Sequence, residues 1–140
     1  MNFFDRDGVR FAYPDNWTVD VEDGGDGWTV TLSSPETAFA LVSLRPDADT
    51  AAQVADEALA VLQGEYPDLD ADPAVDALGG MPAVGHDIDF LTLDTSITCW
   101  TRCAETTAGP LLVMCQTGEF DRAKNEPVLR AVCASLTVAD

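Results

Sequence analysis

Apolar and polar residues alternate through most of this chain, and the period changes only twice. Apolar residues run through Val9, Phe11 and Tyr13, stop at Pro14-Asp15-Asn16 and resume at Trp17, Val19 and Val21. This predicts two strands, 9–13 and 17–21, paired across a tight turn. Trp28, Val30 and Leu32 share one face of a further strand, 28–32, with the glycine-rich stretch 22–27 as the turn before it. Residues 38–44 form another strand, stopped before Pro46. From Thr50 to about Tyr66 the spacing becomes three-and-four: Val54, Ala55, Ala58, Leu59, Leu62 and Tyr66 line one side of an amphipathic helix. Asp49 or Thr50 caps its start, and Gly64 and Pro67 mark its end. Pro73 opens a short stretch, 74–78, and 79–82 is a turn by composition. Three longer strands follow, 83–93, 95–104 and 110–117, with gaps short enough for antiparallel hairpins. The period changes again near Asn125, where that residue can cap a last helix with Pro127 in its first turn and Leu129, Val132, Cys133 and Leu136 as its apolar stripe.

Strands, a helix, strands and a helix in that order predict an α+β domain: an antiparallel β-sheet flanked by helices, with residues 1–140 forming one domain. Some of its residues carry a more specific pattern. A strand ends in Tyr13-Pro14 with Trp17 after it, a helix lies mid-chain, Gly85 precedes Phe90 on a long strand, and the last helix closes on Ala134-Ser135-Leu136. In these features the chain resembles the PsbP-like superfamily, which includes the photosystem PsbP protein, a Ran-binding factor and bacterial secretion-effector chaperones. The resemblance implies a PsbP-like α/β/α sandwich, with helices on both faces of the sheet, and a non-enzymatic role in binding another protein. It implies no particular partner, because members of the superfamily differ widely in theirs.

Charge narrows the partner class. The chain carries 25 acidic and 7 basic residues, a net charge of −18. Such a surface repels phosphate backbones and anionic lipid, so nucleic acid and membranes are poor partners and a protein with a basic surface is the expected one. It also repels itself. The melting temperature is therefore expected to rise with potassium chloride, as the screening length falls from about 30 Å at 0.01 M to about 3 Å at 1 M. Calcium or magnesium at equal ionic strength is the control. A much larger stabilisation by either would reveal a specific cation site, and no rise with potassium chloride would mean that the acids are already paired.

Little in the sequence points to catalysis. Asp68, Asp70 and Asp72 open with the spacing of a calcium loop, but Pro73 stands where the turn glycine is needed and Gly79 where the bidentate glutamate is needed. They read as an acidic loop after the helix. Cys99, Cys103, Cys115 and Cys133 include no Cys-x-x-Cys pair and are expected as buried thiols. No glycine-rich phosphate loop is present, and no cofactor is expected. Met1–Asp7 lacks the basic-then-apolar order of a leader, so a cytoplasmic location is expected. His86 is the only histidine and shares a strand face with Val84, Ile88 and Phe90. A hydrolase or metal-dependent enzyme would have to use it with nearby aspartates, and this is the alternative to a binding domain.

Pairing the long strands through tight turns sets Val84, His86, Ile88 and Phe90 beside Ile97, Cys99, Thr101 and Cys103, with Leu111, Val113 and Cys115 added by the next hairpin. This is the expected core face, and it places Cys99 opposite Cys115. The other face then carries Asp87, Asp89, Trp100, Arg102, Leu112, Met114 and Gln116. Asp87, Asp89, Trp100, Arg102, Met114 and Gln116 are the candidate partner-binding residues, since tryptophan, arginine and methionine are enriched at interfaces. The competing expectation is that the last helix covers this face and Arg102 simply pairs with an aspartate.

Overall fold

The chain folds into three layers, seen in a computed structural model that describes residues 1–139. The middle layer is a seven-stranded antiparallel sheet built from two meanders. The first runs through β3 (Thr18–Gly24), β4 (Gly27–Ser33) and β5 (Phe39–Leu44), numbering from the chain start after β1 (Asn2–Arg6) and β2 (Val9–Tyr13). Helix α1 (Ala51–Glu65) then crosses over, and the second meander runs through β6 (Asp70–Leu78), β7 (Met81–Thr92), β8 (Thr95–Thr106) and β9 (Gly109–Gly118). The last strand returns beside β5, so β3 and β6 are the two edges. Helix α2 (Arg122–Ser135) and the short β10 (Thr137–Val138) complete the chain. Strands β1, β2 and β10 form a separate three-stranded sheet.

One layer is α1, whose Val54, Ala55 and Leu62 bury against Cys103, Leu112, Ile88, Phe90 and Ile97 of the sheet. Thr50 caps it in extended geometry, its hydroxyl accepting from Gln53 N at 3.1 Å. The opposite layer is α2 with the small sheet. There Val9, Phe11, Leu129, Val132 and Leu136 close the main core over Val30, Leu32, Val42, Leu111 and Val113. The helices therefore lie on opposite faces, as the α/β/α expectation required. Among the described residues no helix is long and apolar enough to cross a membrane.

Four local expectations change. Strand 9–13 does not pair with 17–21. The Pro14 turn, closed by Trp17 N to Pro14 O at 3.2 Å, carries the chain from the small sheet to the large one. The true partner of β2 is β1, through a hairpin at Asp7-Gly8 where both residues have positive φ (54° and 83°). Residues 70–78 are an edge strand rather than a loop and short stretch, and an edge tolerates Pro73, which has no N–H to give. The last helix starts at Arg122, so Pro127 lies inside it, and Asn125 is a buried side chain (1 % exposed) rather than a cap.

Candidate functional site

The register of two hairpins decides what each sheet face carries. Leu93 and Asp94, both with positive φ (47° and 66°), make the two-residue turn between β7 and β8. That turn sets Val84, His86, Ile88 and Phe90 opposite Cys103, Thr101, Cys99 and Ile97, as expected. The next turn, Thr107-Ala108, is held by Thr106, whose hydroxyl accepts from Ala108 N and donates to Gly109 O. It sets Thr106 opposite Gly109, and hence Cys99 opposite Gln116, not Cys115. One residue of slip exchanges the faces of a strand. Leu112, Met114 and Gln116 therefore lie on the α1 side with Cys99, and Leu111, Val113 and Cys115 lie on the α2 side with Trp100 and Arg102.

The six candidate residues are thus divided. Asp87, Asp89, Trp100 and Arg102 share the α2 side of the sheet, while Met114 and Gln116 lie on the other side, with Met114 packed against the α1 core. Trp100 is buried, and the Arg130 guanidinium of α2 stacks over its ring at 4.6 Å. Arg102 donates to Asp87 Oδ1 at 2.9 Å, Asp76 Oδ2 at 3.3 Å and Thr101 O at 2.8 Å. The last helix covers the Trp100 part of this face, and Arg102 is paired, as the competing expectation had it.

Beyond α2 the face stays open, and it is acidic. Asp70 pairs across to Asp89 and Asp72 to Asp87, all four exposed. Asp76 lies further along the same side of β6; the Ala77 amide and Arg102 hold its carboxyl below the usual range. Five carboxylates thus share this side of β6 and β7, and the Arg102 guanidinium pairs with two of them. Among the described residues, Asp70 and Asp72 have no cationic partner. The sequence reading missed Asp70, Asp72 and Asp76 as members of this face because the Asp-Pro composition read as loop. The signal was the period of two that they share.

At the end of the same ladder is a cleft of about 480 Å³ lined by Glu65, Asp68, Asp70 and Asp89 with Tyr66 and Phe90. The two aromatic rings stack at 4.1 Å. No three His, Cys, Asp or Glu side chains among the described residues are grouped to hold a metal ion. His86 lies half-buried on the α1 side, between Pro73 and Thr101 on the neighbouring strands. Side chains alternate across a strand, so Asp87 and Asp89 project from the opposite face to His86. The geometry does not bring the histidine together with these aspartates.

The sequence matches no family model and no curated protein. Solved structures that share the fold include the following three. Cyanobacterial PsbP from Synechocystis sp. PCC 6803 superposes with a TM-score of 0.68 at 15% identity, over 99% of this chain and 92% of its own. PA94 from Pseudomonas aeruginosa, of unknown function and described as a candidate regulator, gives 0.59 at 18% identity, covering 100% and 98%. LpqN from Mycobacterium tuberculosis, involved in cell envelope biogenesis, gives 0.53 at 12% identity, covering 94% and 83%. The chain has the PsbP-like fold.

Proposed function

We propose that this chain is a non-enzymatic protein-binding domain that docks a basic segment of another protein on the open acidic face of β6, β7 and β8. The observation that carries the reading is the pair of like-charge oppositions, Asp70 with Asp89 and Asp72 with Asp87. Directly opposed side chains on adjacent strands lie about 4.5–5.5 Å apart at Cβ, and like charges there destabilise the sheet. Lysine and arginine side chains from a partner would replace that repulsion with charge-assisted hydrogen bonds.

The test is calorimetry with an eight-residue lysine- and arginine-rich peptide at low salt. Binding is expected and should weaken as potassium chloride is raised. The triple variant Asp70→Asn, Asp72→Asn, Asp89→Asn should lose about tenfold in affinity, the sum of three exposed ion pairs at about 0.5 kcal/mol each. It should also melt higher than the wild type, since the like-charge oppositions are gone. Neutralising Asp20, Glu22 and Asp26 near the other edge changes the net charge equally and, with both variants compared at 0.1 M salt where the screening length is about 10 Å, should leave affinity within about twofold, because exposed charges beyond that length contribute little. Equal losses in both variants, or no binding by the wild type, would overturn the proposal.

A further inference from the structure

We infer that Cys115 and Cys133 are a redox-modification site: a small hydroperoxide oxidises them to a reversible disulfide that staples α2 to β9. The two Sγ atoms lie 3.6 Å apart, one on the central strand β9 and one on the helix packed over it. A disulfide is about 2.05 Å long, so closure brings the sulfurs only about 1.5 Å nearer. Cys115 is fully buried, while Cys133 is partly exposed and opens onto a cavity of about 80 Å³. Trp100, Arg102 and Arg130 line that cavity with it. It exceeds the roughly 30 Å³ share of one water molecule, which leaves room for hydrogen peroxide. Two of this acidic chain's seven basic residues therefore share the cavity with Cys133, beside Asp76, which pairs with Arg102.

The chemistry follows from that asymmetry. The hydrogen bond shared with Cys115 lowers the pKa of Cys133 most, against the effect of its burial; Trp100, Arg130 and Arg102 lower it further. The same bond and deep burial push the Cys115 thiol up, so the partly exposed Cys133 is the sulfur that meets the oxidant. Cys99 and Cys103, by contrast, are pushed up to about 12, mainly by burial. Thiolate is the reactive form. The Cys133 sulfur takes one oxygen of the peroxide, the O–O bond breaks, and the leaving hydroxide picks up a proton as water. Cys115 Sγ then attacks the Cys133 sulfenic acid. The S–S bond forms, the S–O bond breaks, and the hydroxide leaves with the Cys115 proton as a second water. Two thiols lose two electrons in all, and the peroxide gains them.

Peptide mapping by mass spectrometry after hydrogen peroxide treatment tests this on the full chain. The expected product is a Cys115–Cys133 crosslink with the loss of two hydrogens, reversed by a phosphine reductant. The oxidised protein should melt about 5–10 °C higher, as closing a loop of this length restrains the unfolded chain. In Cys115→Ser, oxidation should stop at a Cys133 sulfenic acid that dimedone traps. In Cys133→Ser, no crosslink should form. A crosslink involving Cys99 or Cys103, a sulfenic acid trapped at Cys115, or four free thiols surviving peroxide would each overturn the inference.

Discussion

Trp17→Ala is expected to cost about 3–5 kcal/mol, a large part of the roughly 5–15 kcal/mol that holds a domain of ordinary stability together. Trp17 is 5 % exposed and belongs to the main core. Its position makes that burial structural. It closes the Pro14 turn with its own amide, at the point where the chain leaves β2 in the small sheet and enters β3 in the large one. The indole lies in the same core cluster as the inward faces of both sheets, so its removal opens a cavity that neither layer can fill by moving alone. Urea unfolding should show a lower midpoint with an unchanged slope, the signature of lost stability without a change in unfolded surface. The variant should still bind the basic peptide wherever it is folded, since the acidic face lies on β6–β8. A variant that melts like the wild type but loses the peptide would reassign Trp17 from the core to the interface.

Residues whose role is steric and local carried the fold into the sequence. The Tyr13-Pro14 to Trp17 segment is such a case, and so is Gly85. There a Cβ would stand 1.8 Å from the Thr101 carbonyl oxygen, so only glycine lets β7 approach β8. What the sequence hid were relations between distant segments. The Asp7-Gly8 dipeptide is a standard hairpin signal, yet β1 is exposed almost throughout and sets only Phe4 on the core, too little alternation to reveal it. The slip at β8–β9 arose because the strand was placed without its turn, and strands with apolar side chains on both faces give no pattern to fix the register. The Cys115–Cys133 contact spans a strand and a helix and leaves no spacing signature.

Asp121 is the other residue whose loss should be severe. It is 8 % exposed and gathers three segments. Its carboxylate accepts from the Thr37 amide and hydroxyl in the loop before β5, from Thr117 on β9, and from Asn125 Nδ2 at 2.7 Å on α2. Asn125, itself buried, also donates to Glu36. Asp121→Ala removes the charged acceptor of the buried Asn125 amide, which keeps only Glu36, at about 1.5–3 kcal/mol, and the bonds from the exposed Thr37 add less, so a loss of about 2–4 kcal/mol is expected. Burial pushes the Asp121 pKa up, but the hydrogen bonds from Thr37 and Asn125 outweigh it and hold the carboxyl below its ordinary value. Between the folded and unfolded pKa values the unfolded chain holds a proton that the folded one lacks. The contribution is therefore complete above the unfolded value of about 3.9 and disappears as the pH falls through the lower folded value. Acid also relieves the repulsion of eighteen net negative charges, which moves stability the other way and obscures the effect in the wild type alone. Comparing the wild type with Asp121→Asn cancels that shared term. The gap in melting temperature should be wide at pH 7 and narrow as the pH is taken below about 3.9. A gap equally wide at both ends would mean that the shape of the side chain, not its charge, holds Thr37 and Asn125 in place.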